Sequence, residues 1–331
     1  MLLLILGILD ASELVRVWHV LLISSLLGLV QGFDFPARSS IFPALIDKKQ
    51  MMSAVSLNSI LWQGSRMILP AIGGFLISVT DTSLIFFICG LGFICMITVL
   101  LTLEVRQDNH VNDAPWHEFK EGVKFVLHHR LFLTLILLSW ISMFFGTSYV
   151  QIMPLFADML QSGEQGFGLL ISATGVGSII GNLFISRYQL SRKLGKMILS
   201  SAAMAPCSLI GFSLVSWILA GTPVAFWIAC GFAIFASALS SVFLVSSMTV
   251  LQIKVPDSFR GRVMGIHSIT FSMISLGGIA TGVLAANFSA PFAVVVGALI
   301  VICSVTLVVF KFNEIVKLDL NKQLKPKQLF E

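Results

Sequence analysis

TPVAFWIACGFAIFASALSSVFLVSSMTVLQI, residues 222 to 253, runs for 32 residues without a single Asp, Glu, Lys or Arg. A helix rises about 1.5 Å per residue, so about 20 apolar residues cross the ~30 Å hydrocarbon core of a bilayer. In lipid every backbone amide and carbonyl has to be satisfied within the protein, which restricts a spanning chain to helices or closed barrels. This run is of helix length. The rest of the chain follows the same rule: of 331 residues, 56% are hydrophobic and 11% charged, against about 25% charged in an ordinary soluble domain. A water-facing surface could not be covered with so few polar side chains, so the solvent is lipid.

Nine such runs are read along the chain, at about 17 to 40, 53 to 79, 83 to 103, 131 to 157, 166 to 186, 197 to 217, 222 to 253, 263 to 287 and 291 to 312. The expected fold class is an all-α polytopic membrane protein. The opening MLLLILGIL is apolar as well, but Asp10 and Glu13 follow it at once, and it has about half the length needed to cross. It reads as a stub. A signal peptide would carry Lys or Arg ahead of its apolar part and would not be followed by nine more spans. All five cysteines (Cys89, Cys95, Cys207, Cys230 and Cys303) fall inside apolar runs with no C-x-x-C spacing, which reads as apolar filler rather than a metal site.

The charges fix an orientation. When alternate loops are assigned to opposite sides of the membrane, nineteen of the 21 basic residues fall on one side, Arg16 alone falls on the other, and Arg66 lies within a run. The basic side is expected to be cytoplasmic, and with it the C-terminus. An incorrect helix count would reverse every later loop and destroy this segregation. The net charge of +5 is therefore a property of membrane loops, and no nucleic-acid partner is expected.

The only long polar interval, 104 to 130, separates three runs from six. Its second part, WHEFKEGVKFVLHHR, follows Asp113 and Pro115 and places Trp116, Phe119, Val123 and Val126 at helical spacing opposite Lys120 and Lys124. That pattern suits a helix on the cytoplasmic membrane surface or a solvated linker helix. The stretches IFPALIDKKQMMSAVSLNS (41 to 59) and VLQIKVPDSFRGRVMGIHS (250 to 268) lie 209 residues apart. Each carries a span end, a proline-containing basic turn and a new span. Repeated helical halves are a signature of secondary transporters, which rock two bundles about a central site.

Four segments carry a family resemblance: FDFPARSSIFPALI (33 to 46) leading into AVSLNS, RMILPAIGG (66 to 74), FKEGVKFVLHHRLF (119 to 132) and VPDSFRGRVMGIHS (255 to 268). In this order they resemble the major facilitator superfamily, in its branch of enterobactin and macrolide exporters. The resemblance implies twelve helices in two six-helix halves around a cavity that opens alternately to each side. Matched to it, the chain starts near the end of the third helix and its nine runs stand for helices four to twelve. Residues 1–103 would then form an incomplete N-terminal half-bundle, 104–130 the cytoplasmic central loop with an interfacial helix, 131–312 the C-terminal six-helix half-bundle and 313–331 a cytoplasmic tail. The implied activity is export of a small amphiphilic compound, such as a siderophore, a macrolide or another drug-like molecule, across the bacterial inner membrane. The implied energy source is the proton gradient. The alternative is a truncated, non-transporting remnant of such an exporter; in-frame codons upstream for the missing helices would favour the transporter.

The motifs of the family are kept in part. Of an R-x-x-Q-G antiporter motif, Gln31 and Gly32 are present and Gly28 stands at the arginine. Of G-x-x-x-G-P-x-x-G-G, the chain has Ser65, Leu69, Pro70, Gly73 and Gly74 at the corresponding places. The loop RYQLSRKLGK (187 to 196) lacks the aspartate of the second-half basic signature.

An arginine at mid-span costs about 2.5 to 3.5 kcal/mol on insertion scales, so Arg66 has to face protein or a wet cavity, and Gln63 and Asn58 extend a polar stripe one and two turns before it. These three, with His267, are the candidate substrate or coupling residues. Asp34 and Arg38 sit one helical turn apart near the cytoplasmic end of their run, either as a local ion pair or, by the resemblance, in a cytoplasmic gate. Asp257, Arg260 and Arg262 form the second-half counterpart of that gate. Pro70, Gly73 and Gly74 combine a helix bend with room for close neighbours. Gly175, Gly177 and Gly181 read as packing positions. No H-E-x-x-H, G-x-S-x-G, clustered acid pair or phosphate-binding glycine loop occurs, so neither an enzyme nor an ATP-driven pump is expected. The expected partners are a small-molecule substrate, membrane lipid and protons, with no cofactor, no metal and no obligate protein partner.

Overall fold

The computed structural model describes residues 1–44, scattered positions between 61 and 79, and residues 80–102, 115–188 and 194–311. Side chains are described up to Asp34 in the first of these segments and from Lys120 onward, apart from Tyr188, Pro223, Asp257, Ser258 and Arg260. Among the described residues the regular elements are all helical: α1 (Leu2–Ala11), α2 (Val17–Ala44), α3 (Thr82–Leu101), α4 (Pro115–His128), α5 (Arg130–Ile141), α6 (Met153–Met159), α7 (Gly163–Tyr188), α8 (Leu194–Ile218), α9 (Pro223–Lys254), α10 (Asp257–Asn287) and α11 (Ala290–Lys311).

Eight stretches of the described residues are long and apolar enough to cross a membrane: Val17–Asp34, Thr82–Leu101, Arg130–Met159, Gly163–Arg187, Leu194–Ile218, Val224–Lys254, Gly261–Asn287 and Ala290–Lys311. They coincide with eight of the nine runs read from the sequence; the ninth, 53 to 79, lies largely outside the described residues. The chain is a multi-pass, all-α membrane protein.

It divides into two compact units, one holding α1 to α3 and the other α4 to α11. In the first unit α1 packs on α3 through glycines. A Cβ built at Gly90 would meet the Leu4 side chain, with Leu4 Cγ at 2.7 Å, and one at Gly7 would lie 3.1 Å from Phe86 Cβ. The Thr82 hydroxyl donates to the Asp10 carboxylate, so the first acidic residue after the apolar stub is held by the start of α3.

In the second unit α9 is the central pillar, packed along both α7 and α8, and α8 is covered in turn by α11. Its start is set locally. Thr222 accepts from the Ala225 amide at 3.3 Å and Pro223 occupies the first turn, where the missing N–H costs nothing. Two buried clusters fill the unit. One gathers Met153, Phe156, Leu170, Phe212, Ala229 and Ala233; the other gathers Leu135, Ile136, Ile198, Phe243, Val250 and Val263. Alanines and glycines recur at the contacts because helix association in lipid relies on close van der Waals approach rather than on expelling water.

The span Arg130–Met159 is not a regular helix. After α5 the chain continues as a π-helical segment, Ser142–Thr147, then a 3-10 segment, Ser148–Ile152, before α6 begins. α10 and α11 pack on this irregular stretch. A Cβ at Gly277 would fall 2.7 Å from the Phe144 carbonyl carbon, and one at Gly297 2.5 Å from the Phe145 carbonyl oxygen. Only glycine lets these helices come so near the distorted backbone.

Candidate functional site

The most unusual surface of the second unit lies along α10. Gly261, Gly265, Ser268, Ser272, Ser275 and Ile279 recur at spacings of four, three, four, three and four residues, and all are exposed. On a helix these positions share one face. Leu276 and Phe271 flank it, 50% and 58% exposed. The opposite face of α10 is buried: Val263, Ile266, His267 and Thr270 show 5% exposure or less. A core-facing side and an open side are thus cleanly separated. The open side carries three hydroxyls over two turns at mid-span.

Gln151, in the 3-10 segment, is also exposed. A Cβ at Gly278 would lie 2.7 Å from Gln151 Cγ, so the glutamine stem rests on α10 one turn from Ser275. Ser148 and Thr281 fasten the same two elements below the surface through a hydroxyl pair at 2.9 Å, and Thr281 also donates to the Gly277 carbonyl at 2.6 Å. The result is an uncharged polar strip, Ser268, Ser272, Ser275 and Gln151, held on a rigid backing within two membrane spans. It can exchange hydrogen bonds with a passing solute without binding it through a fixed charge.

The contact between α7 and α9 uses the same residue types for a different end. Ser237 donates to the Thr174 carbonyl at 2.6 Å and pairs with the Ser178 hydroxyl at 2.9 Å, and Ser241 donates to Asn182 Oδ1 at 2.8 Å. Between these rungs sit Gly177 and Gly181, where a Cβ would come within 2.9 Å and 3.0 Å of the Ile234 and Ala238 carbonyl carbons. The packing reading of Gly177 and Gly181 is what the structure shows.

At the start of α10, Arg262 Nη1 donates to Glu121 Oε2 of α4 at 2.7 Å, and its guanidinium lies 5.4 Å from the Phe259 ring centroid. Phe259 in turn stacks on Phe125 of α4, with centroids 4.4 Å apart and planes at 10°. Gly122 permits this approach, since a Cβ there would lie 2.8 Å from Arg262 Cβ. Of the four apolar positions read on α4, Val126 is 4% exposed and Val123 packs on the same cluster, so two of them face protein; the side chains of Trp116 and Phe119 lie outside the described residues. Arg262, placed in a gate by the sequence, is joined to this helix.

The other candidates fare unevenly. Asp34 is partly buried on α2, and Arg38 follows one turn later on the same helix, with its side chain outside the described residues. Asn58, Gln63, Arg66, Pro70 and Gly74 lie outside them too. Gly73 is within, and no described atom comes within 4 Å of a Cβ built there. Asp257 and Arg260 belong to the first turn of α10, with side chains outside the described set. His267 is 2% exposed, with Nδ1 3.4 Å from the Thr270 hydroxyl and Nε2 without a hydrogen-bond partner among the described residues. It therefore lies behind the open face and not on it. The serine strip is not among the residues expected from the sequence, although the spacing of its serines within IHSITFSMISLGG places them on one helical face.

A major facilitator family model described as transmembrane secretion effector matches residues 1–330. The chain belongs to this family. Members of the major facilitator superfamily are transporters, not enzymes. Among its relatives is the staphyloferrin A transporter of Staphylococcus aureus, 23% identical over 308 residues, which cover 92% of this chain and 74% of that protein. The enterobactin exporter EntS of Escherichia coli is 26% identical over 298 residues, covering 85% of this chain and 69% of the relative. The enterobactin exporter EntS of Shigella boydii matches to the same extent, 26% over 298 residues. The family match runs across both units of this facilitator chain, the irregular span and α10 included.

Proposed function

We propose that this facilitator chain is a secondary active exporter that moves a small amphiphilic compound, of the siderophore or macrolide type, outward across the bacterial cytoplasmic membrane by alternating access, with the proton gradient as energy source. The observation that carries the reading is the open face of α10. Three hydroxyls at mid-span and the adjacent Gln151 amide are exposed; Ser268 donates to the Gly265 carbonyl of its own helix, but the Ser272 and Ser275 hydroxyls and the Gln151 amide would lack partners if they faced hydrocarbon. They are accounted for if the face lines a path wet enough for a polar solute. Rigid backing by Gly277, Gly278 and the Ser148–Thr281 pair keeps that lining in place.

In this reading 131–312 is the second half-bundle, 1–103 belongs to the first, and the basic loops with the C-terminus lie in the cytoplasm. Asp34, Arg38, Asp257, Arg260 and Arg262 act in the cytoplasmic gate, Pro70, Gly73 and Gly74 at the outward one, and Arg66, Gln63 and Asn58 serve as substrate or coupling residues. Siderophores come first among the cargoes because the three relatives named above are a staphyloferrin A transporter and two enterobactin exporters.

The test is retention of labelled catecholate siderophore, carboxylate siderophore and macrolide by cells with and without the chain, in the presence and absence of a protonophore. Faster loss of one compound with the chain present, abolished by the protonophore, is the expected result. Equal retention of all three would refute export of these classes, and export unaffected by the protonophore would refute proton coupling.

A further inference from the structure

Two backbone irregularities meet inside the second unit. The π-helical segment Ser142–Thr147 interrupts the span that begins with α5, and Pro206 stands in the interior of α8. A proline there has no N–H to give to the carbonyl four residues before it, which is Ala202. Between the two breaks lies a cavity of about 20 Å³ whose wall includes Ser142, Gly146, Ala202, Pro206, Ser240 and Val301. Both ends of the missing α8 bond, Ala202 and Pro206, are on that wall. So is Ser142, whose buried hydroxyl has no hydrogen-bond partner among the described residues.

The buried hydroxyls of Ser172, Ser213, Ser246 and Ser247 also have no partner among the described residues, but of the five only Ser142 is on the cavity wall. Thr134, Ser139, Ser216 and Ser304 each donate to the carbonyl four residues back, at 2.7 to 2.8 Å. Ser142 does not. A buried hydroxyl left unpaired is destabilising, and a cavity holds a water once it offers about 10 to 15 Å³ and two or more polar partners. Size, an orphaned donor and a proline-freed carbonyl coincide at one place.

We propose that this cavity is a binding site for one ordered water molecule, which accepts from or donates to the Ser142 hydroxyl and donates to the Ala202 carbonyl, joining the π-helical segment to the proline break of α8. The water replaces the hydrogen bonds that both helices give up, with Ser240 as a further partner on the wall.

Two measurements on the full chain decide it. A structure in lipid nanodiscs that resolves ordered waters should show one within hydrogen-bonding distance of Ser142 Oγ; resolved waters elsewhere and none there would overturn the proposal. The second is thermal unfolding. A Cβ at Gly146 would lie 3.6 Å from Val301 Cγ2, an ordinary contact, so Gly146→Ala fits but takes the room of the water. Gly231→Ala, at an exposed helical position with nothing within 4 Å, supplies the reference for the gain in helix propensity. Gly146→Ala should have a lower Tm than Gly231→Ala, and Ser142→Ala combined with Gly146→Ala should recover the difference, because no hydroxyl is then left unpaired. A Tm for Gly146→Ala equal to or above the reference marks a dry void and overturns the proposal, as does a double variant no more stable than Gly146→Ala.

Discussion

The α7–α9 contact and the open face of α10 are built from the same small vocabulary of glycine and serine, yet one is sealed and the other is not. On α7, Gly177 and Gly181 bring the backbone against the carbonyls of Ile234 and Ala238, and every serine in the ladder finds a partner across the contact. On α10, Gly261 and Gly265 have nothing within 4 Å of a built Cβ, and Ser268 turns back to the Gly265 carbonyl at 2.6 Å. Small polar residues in a span therefore carry no fixed meaning. They either admit a neighbour or keep a surface polar, and the partner decides which.

The strongest way to break the comparison is to enlarge a glycine on the sealed side. Gly181→Leu would drive a side chain into the Ala238 backbone, which cannot yield as a side-chain end can, and overpacking of this kind costs about 1 to 3 kcal/mol or more. Loss of the monodisperse peak on size-exclusion chromatography in detergent is the expected result. Gly265→Leu on the open side should leave that peak intact. If both variants behave alike, the two faces do not differ in how tightly they are packed.

Transport separates the two surfaces in the opposite sense. Ser272→Leu with Ser275→Leu should preserve folding and Tm, since both positions are exposed, while export falls. Each hydrogen bond to a solute is worth about 1 kcal/mol, so losing two lowers the export rate at limiting substrate roughly tenfold or more. Unchanged export in the double variant would remove α10 from the path. On the sealed side, Ser237→Ala deletes the bonds to Thr174 and Ser178, and interhelical hydrogen bonds in lipid average about 0.6 kcal/mol each. A fall of about 1 kcal/mol in unfolding free energy, with export rate per folded molecule unchanged, is expected.

These two surfaces also mark how far the sequence could be read. The spans were legible because about 20 apolar residues between basic loops have one solution in lipid, and the packing role of Gly177 and Gly181 followed from their four-residue spacing. The irregular span was not. Within residues 131 to 157, Pro154 falls in the first turn of α6, but nothing in SMFFGT dictates a π segment; what accompanies the distortion is the close approach of Gly277 and Gly297 to the Phe144 and Phe145 carbonyls, a tertiary fact. His267 is the residue of α10 whose side chain type titrates near neutrality, but burial depends on which neighbours cover a face, and they cover His267 while leaving Ser268 open. A single sequence states spacing, and only the assembled bundle states exposure.

The smallest expected effect compares a polar contact inside the span with one at its end. Arg262 and Glu121 are 2.7 Å apart, but their side chains keep 26% and 44% of their exposure, so water and salt screen the attraction. Such pairs contribute about 0.2 to 1 kcal/mol, and the interaction fades over a Debye length of about 8 Å at physiological ionic strength. Glu121→Gln keeps the stem, the packing of Gly122 on Arg262 and one acceptor for the guanidinium. Its destabilisation should be below about 0.5 kcal/mol and vanish in high salt, whereas that of Ser237→Ala should persist there, since hydroxyl pairs between packed helices carry no net charge to screen. A salt-independent loss on Glu121→Gln equal to that of Ser237→Ala would mean that the α4 contact is as dehydrated as the α7–α9 ladder, and that exposure does not set the worth of polar contacts in this molecule.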